Sequence, residues 1–331
     1  MLYKSVKSIS NFIKGDVRNK ADWEKAINNQ DAIIHLAAET GTGQSMYEKE
    51  KYTNVNIGGT KNLIDVLKHT NHQIQKVIVA SSRAIYGEGK YSCNQHGVSF
   101  PDERIESDLL AGRFNPICKV CKTELSLLLT DEQARINPLS HYGDTKYQQE
   151  ELIMKMGENL KIPTVALRYQ NVYGPGQSLS NPYTGILSIF STRMLNGNNV
   201  DVYEDGNESR DFVFINDVVD ATVLALENKE ANNQSFNVGS GVGTTVEEVA
   251  KMLKVKYKSN VDLVVSGKFR IGDIRHNIAD LTKAKQLLGF EPKVDFSKGL
   301  SKFVEWVLTQ KVQEDKYEES IKKLKDKGLM K

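Results

Sequence analysis

The chain has 331 residues, 39% hydrophobic and 26% charged, enough to bury a sizeable core as one large domain or two closely joined ones. Lys plus Arg number 44 against 42 Asp plus Glu, so a formal charge of +2 gives no reason to expect nucleic acid or an anionic membrane as partner. No apolar run approaches the ~20 residues that cross a bilayer, and the signal-peptide pattern is missing at the start, so the expected location is the cytoplasm.

In chain order, short apolar or β-branched runs read as strands over residues 11–17, 31–38, 76–82, 163–169 and 235–238. Between the second and third lies a helical pattern over 52–69, with Val55, Leu63, Val66 and Leu67 on one side. Alternating strands and helices, with strands apolar almost throughout, predict an α/β fold: a Rossmann-like doubly wound parallel sheet covered by helices on both faces. Ligands of such sheets bind at the carboxyl ends of the strands. There the sequence places Gly15-Asp16-Val17, Leu36-Ala37-Ala38 and Ser81-Ser82.

Two regions break this rhythm. Residues 88–137 form a long insert that holds every cysteine, and from 171 onward Gly, Pro and Asn punctuate shorter elements. The expected division is a Rossmann-like domain over 1–170 and a mainly substrate-binding lobe over 171–331, with 211–240 returning to the first domain. The Lys- and Glu-rich segment 311–331 reads as a solvated helix.

Tyr142 and Lys146 stand four apart at the start of a helical pattern and so share a face. A phenol is a poor base near neutrality, with an ordinary pKa of ~10, but a neighbouring ammonium favours the phenolate. Ser82, at the end of the 76–82 strand, adds a hydroxyl. Together they could take a proton from a carbinol while hydride passes to a nicotinamide cofactor. The spacing alone also describes a surface pair; the context of Val79-Ala-Ser-Ser82, Tyr86-Gly87 and Pro138-Leu-Ser-His-Tyr142 favours function.

Cys93-Asn-Gln-His96 and Cys118-Lys-Val-Cys121 pair a C-x-x-H with a C-x-x-C. Three thiolates and one imidazole match a closed, structural zinc site; the alternative is three reduced thiols with a surface histidine.

These residues together resemble the extended short-chain dehydrogenase/reductase family, in particular its nucleotide-sugar epimerases and dehydratases. Further matching segments are His35-Leu-Ala-Ala38, Asn54-Val-Asn56 with Gly59-Thr60, Leu167-Arg-Tyr-Gln-Asn171-Val-Tyr-Gly-Pro175, Arg210-Asp-Phe-Val, Arg270-Ile-Gly-Asp273 and Arg275-His276. The resemblance implies a bound NAD, with Asp16 and Val17 near adenine, Leu36, Ala37 and Ala38 under the ribose, and Asn56, Ser81, Tyr142 and Lys146 completing that site. It implies a nucleotide-diphosphate sugar as substrate, gripped by Asn171, Asn181, Arg210, Arg270 and Arg275, and a homodimer formed through the helix that carries the Tyr/Lys pair and its neighbour. Guanidinium groups suit the diphosphate because they make bidentate, charge-assisted bonds to phosphate oxygens.

Dehydratases of this family follow the active-site hydroxyl residue with Asp-Glu, which supplies an acid for the leaving hydroxide. Here Arg83-Ala84 follow Ser82, and an arginine does not protonate a leaving group near neutrality. Arg83 is instead expected to face the substrate. The combination of 41–47, 82–89, the cysteine insert and Asn181-Pro-Tyr-Thr-Gly185 is most similar to the dTDP-L-rhamnose 4-epimerase subgroup, which implies a transient 4-keto sugar. A UDP-hexose 4-epimerase, a nucleotide-sugar dehydrogenase and a non-catalytic remnant that binds a nucleotide sugar or a partner stay open.

A dinucleotide-binding fold opens with a strand and a Gly-x-x-Gly-x-x-Gly turn whose amides meet the pyrophosphate. None precedes Asn11, and residues 1–10 are too few for a βαβ unit of ~30 residues. The sequence is therefore expected to enter such a fold part-way, with a weakened grip on the cofactor. The choice between NAD and NADP is not fixed by it.

Overall fold

The computed structural model describes residues 9–183 and 185–331. Residues 1–8 of the N-terminal stretch and Thr184 of the 181–185 motif lie outside the described residues.

The central sheet is wholly parallel, in the order Ala32–His35, Lys76–Ser82, Thr164–Tyr169, Gln234–Val238. Its strands are apolar runs because both faces are covered. Alternate residues serve alternate cores: Val77, Val79 and Ala166 pack with Leu63, Val66 and Leu67 of the Gly59–His69 helix and Ile153 and Met156 of the His141–Leu160 helix. Ile78, Val165 and Leu167 point the other way, onto Val218, Ala221 and Ala225 of the Ile215–Glu227 helix.

The strand expected at 11–17 does not form. Residues 11–16 carry no strand pairing, and Ala32–His35 pairs only with Lys76–Ser82 among the described residues. A strand is a relation between two backbones, and the apolar pattern of Phe12, Ile13 and Val17 cannot supply the second one. The segment instead rests on the helix behind it. Gly59 permits this, because a Cβ there would lie 2.6 Å from the Val17 side chain. Trp23 Nε1 and Asn62 Nδ2 also donate to Val17 O, at 2.9 and 3.3 Å. The helical pattern read over 52–69 is Gly59–His69 preceded by a π-helical turn, Thr53–Gly58, and a short helix, Lys49–Tyr52.

A second core gathers Phe190, Val249, Leu253 and Phe303 from the Ile186–Leu195, Val246–Tyr257 and Phe296–Leu308 helices with Tyr173 and Phe212 from the Asn171–Tyr173 and Ser209–Phe214 strands. The Ser209–Phe214 strand binds this region to the first by pairing with Asn171–Tyr173, Gly243–Thr245 and His276–Asn277. The insert folds on itself as a three-stranded antiparallel sheet, Gly97–Ser99, Tyr91–Cys93, Ser126–Leu127.

The C-terminal segment departs from the solvated helix expected of it. Tyr317–Asp326 buries Tyr317, Ile321 and Leu324, and these three apolar residues at i, i+4 and i+7 form a stripe that closes one wall of a cavity. No described helix is long and apolar enough to cross a membrane.

Candidate active site

A cavity of about 520 Å³ lies at the carboxyl ends of the central strands, within the size range of small-molecule sites. Ser81, Ser82, Arg83, Tyr142, Lys146 and Asn171 all line it, as do Leu36 and Ala38. So do Arg210, Arg270 and Asp273.

Tyr142 is placed by the first turn of its helix. The Ser140 side chain caps that turn by accepting from Gly143 N at 3.1 Å, and Tyr142 N donates to Ser45 Oγ at 2.9 Å. Gly143 allows the helix to approach the strand end, since a Cβ there would meet Ala84 O at 2.6 Å. We expect Gly143→Ala to push the helix start away from Ser82 and to lower stability by ~1–3 kcal/mol, read from urea unfolding. An unchanged midpoint would contradict this packing.

Burial pushes the Tyr142 phenol above its ordinary value, opposed by the neighbouring Ser82 hydroxyl and by the charge of Arg83. Lys146 is buried, and burial drives its ammonium down to about 7, with the Glu150 carboxylate opposing the fall. Lys146 Nζ donates to Gln149 Oε1. Gln149 Nε2 in turn donates to Thr60 Oγ1 at 2.9 Å and to Ala37 O at 3.3 Å, and lies 3.0 Å from His35 Nε2. Burial, then the charge of Lys146, holds His35 down to about 3, so it is a neutral prop. This relay beneath the lysine was not visible in the sequence, because Gln149 meets Thr60, Ala37 and His35 from 89, 112 and 114 residues away.

Arg83 lies beside the reacting end, its Nε donating to Asn171 Oδ1 at 3.0 Å. Burial and the nearby Arg210 push its guanidinium down to about 10. Asp273 organises the arginines of the same cavity. It accepts from Arg270 Nη2 at 2.8 Å and Nε at 3.2 Å, and from Arg210 Nη2 at 3.4 Å. Arg210 spends its other contacts on the carbonyls of Ser209, Ile274 and Arg275. Arg270, a third exposed and stacked over the Tyr203 ring, is the freer cation.

Other residues singled out from the sequence are engaged elsewhere, most of them apart from this cavity. Arg275 is a correction: it turns into an acidic cluster, bound to Glu204 at 3.0 Å and forked onto Asp205 at 2.7 and 2.8 Å, with Glu208 at 3.9 Å, and it does not line the cavity. A guanidinium that is 2% exposed needs these carboxylates to offset its lost hydration, which leaves no free fork for a phosphate. Asp16 pairs with Arg18 at 2.6 Å on the surface, and Val17 stacks on Gly59. Asn56 is sealed between Glu39 N and Thr145 Oγ1, at 2.7 and 2.9 Å. Ala37 is engaged through its carbonyl, and Asn181 Oδ1 caps a turn by accepting from Tyr183 N at 2.9 Å. Ser81 reaches the cavity wall while its hydroxyl donates to Glu150. Sequence reasoning missed Tyr203, Glu204 and Glu208 on the far wall, for which no periodic signal exists.

Two features of the wall suit a dinucleotide. Lys146 presents a buried amino group with one hydrogen-bond partner, and Gln170 Oε1 is buried without one. Together they offer donors and an acceptor that a polar ligand would satisfy.

The parallel sheet, with Ser82, Tyr142 and Lys146 lining a cavity at its strand ends, defines a class: Rossmann-like α/β proteins. The chain belongs to the NAD dependent epimerase/dehydratase family, whose model matches residues 2–116 and 123–239. It is similar to a dTDP-L-rhamnose 4-epimerase of Burkholderia thailandensis, 35% identical over 298 residues that make up 89% of this chain and 80% of that protein. Among solved structures it is similar to a UDP-glucose 4-epimerase of Thermotoga maritima with UDP-glucose, at 30% identity and a TM-score of 0.72 over 90% of this chain and 84% of that one. A UDP-glucuronic acid 4-epimerase of Bacillus cereus, in complex with UDP-glucuronic acid and NAD, superposes with a TM-score of 0.74 at 26% identity, covering 92% of this chain and 84% of that one.

Proposed function

We propose that the protein is a nucleotide-sugar 4-epimerase that works with NAD through a transient 4-keto sugar, and that it interconverts dTDP-L-rhamnose and dTDP-6-deoxy-L-talose. The observation that carries this reading is the Tyr142 phenol sharing a cavity wall with Ser82, with Arg83-Ala84 rather than an acid beside them. Lys146, Gln170, Leu36 and Ala38 would hold NAD, which when bound supplies a reversible acceptor for the hydrogen at C4. Tyr142 as phenolate takes the proton of the C4 hydroxyl and later returns it. Ser82 keeps the sugar oxygen and the phenol in register. Arg83, fixed by Asn171, adds positive charge that favours the phenolate, and a guanidinium does not protonate a leaving hydroxide. Arg270 and Arg210 face the diphosphate.

The same reading puts the protein in the cytoplasm and a zinc ion, outside the chemistry, in the Cys93/His96/Cys118/Cys121 tetrad. It also has two copies associate through the His141–Leu160 helix and its Gly59–His69 neighbour; a purely monomeric sedimentation profile would contradict that assembly.

The test is incubation with NAD and either dTDP-L-rhamnose or UDP-glucose, followed by NMR of the C4 configuration. A new C4 epimer of the rhamnose is expected. Turnover of UDP-glucose alone would establish the second reading, a UDP-hexose 4-epimerase, which the similarity to the UDP-glucose enzyme of Thermotoga maritima favours.

A further inference from the structure

The insert is rooted at its sulfur cluster and reaches the far end of the cavity through buried charge. Cys93 ends the Tyr91–Cys93 strand, and His96 follows in the turn to Gly97–Ser99. Cys118 and Cys121 flank a second turn, in which Cys118 N donates to Thr123 O at 2.8 Å and Lys122 N to Cys118 O at 3.0 Å. The two turns face each other. Cys93 Sγ lies 3.4 Å from His96 Nδ1 and 3.5 Å from Cys121 Sγ, and Cys118 Sγ lies 3.6 Å from His96 Nδ1. All four ligand atoms fall within 4.8 Å of one another. Tetrahedral zinc, with Zn–S of ~2.3 Å and Zn–N of ~2.0–2.1 Å, sets its ligands ~3.5–3.8 Å apart. The cysteines are unpaired as disulfides.

From this root a chain of contacts runs to the cavity. Tyr91, packed on Cys93 and Cys118, places its hydroxyl 3.4 Å from Glu88 Oε2, which also accepts from Arg275 N at 2.8 Å. Arg104 is carried on the 97–117 span between the two turns. Its Nε lies 3.1 Å from Glu88 Oε1, and it forks onto Glu204 at 2.9 and 2.8 Å and donates to Asp273 O at 3.0 Å. Asn115, three residues before Cys118, accepts from Arg275 Nε at 2.9 Å. Asp273 is the carboxylate that orients Arg270. Buried ion pairs repay their desolvation only when geometry is fixed. Within the span Leu109 and Phe114 pack on Phe269 and Ile271, beside the Arg270–Asp273 loop, while the core at its root consists of Tyr91, Cys93, Cys118 and Leu125, with Cys121 and Leu127 packed against it. A core so small needs a staple.

We infer that the tetrad holds a zinc ion that clamps the 97–117 span, so that Arg104 and Asn115 brace the Arg270–Asp273 loop at the diphosphate end of the cavity. This rests on the nucleotide-sugar reading of that cavity. The ion touches no reacting atom; its role is positioning, and its loss weakens substrate binding while leaving the Tyr142 centre intact.

The test uses the full-length protein, purified without chelator, with zinc measured by elemental analysis and dTDP binding by calorimetry. About one zinc per chain is expected, lost in the Cys118→Ser/Cys121→Ser double variant, with dTDP bound roughly tenfold more weakly or worse. A wild-type protein without zinc, or a double variant that keeps it, overturns the site. Asn115→Ala leaves the ligands in place and removes one strut, so it decides the clamp even where the double variant does not fold. Zinc retained with weakened dTDP binding supports the clamp, and unchanged binding overturns it. Arg270→Ala separates the clamp from the reading beneath it. Unchanged dTDP binding in Arg270→Ala, or none in the wild-type protein, removes the nucleotide-sugar reading; loss in Arg270→Ala with full binding in the folded, zinc-free double variant removes only the clamp.

Discussion

Tyr142→Phe is expected to lower turnover by roughly 10²–10⁴-fold, the range for losing a positioned acid/base group, while binding of the nucleotide sugar stays near wild type. The substitution removes only the phenol oxygen. The ring keeps its edge-to-face contact with Tyr52, with centroids 6.4 Å apart, and Tyr142 N keeps its bond to Ser45 Oγ. The helix start should therefore hold its place, and Ser82 alone, a hydroxyl without a nearby base, cannot take the proton. Steady-state kinetics with calorimetric binding check this. A variant that turns over within tenfold of wild type would show that the proton leaves by another route.

Lys146→Met is expected to lower activity and raise stability at once. The ammonium is buried beside Gln149, and burial depresses it from an ordinary 10.5 to about 7. In the unfolded chain it keeps its proton up to the ordinary value. Between about 7 and 10.5 the unfolded state thus binds more protons, so the lysine's penalty on stability shrinks as pH rises through that window. Below the window the penalty is full, on the order of 3–5 kcal/mol. Lys146→Met should melt above wild type at pH 7, and the gap should narrow toward pH 10. Equal melting temperatures at neutral pH would mean that the ammonium is better solvated than its burial implies. The pattern is that of a functional group retained against stability; bound ligand would supply the partners that Lys146 lacks.

The fold was legible where burial on both faces writes an uninterrupted apolar run. Lys76–Ser82 has the bounds read from the sequence, and Thr164–Tyr169 and Gln234–Val238 differ from theirs by a single residue. It was not legible at 11–17, where the pattern reports a strand's residues but not its neighbour. Tyr142, Lys146 and Ser82 were legible because one spacing and one strand end bring them together. Arg275 was misjudged for the opposite reason: its motif says nothing of Glu204 and Asp205, some seventy residues earlier, which capture it. The apolar stripe of Tyr317, Ile321 and Leu324 could have been read from its spacing. It was masked by the lysines and glutamates around it, which describe only the outer face of that helix.

The central claim is that hydrogen leaves C4 and returns to the same carbon within one cavity. The measurement that tests it most directly uses dTDP-L-rhamnose deuterated at C4, incubated with the protein and NAD in ordinary water. The account predicts a dTDP-6-deoxy-L-talose product that retains the deuterium at C4 with the configuration inverted. A C4 epimer whose deuterium has been exchanged for solvent hydrogen, or no epimer from any nucleotide sugar offered, would contradict it.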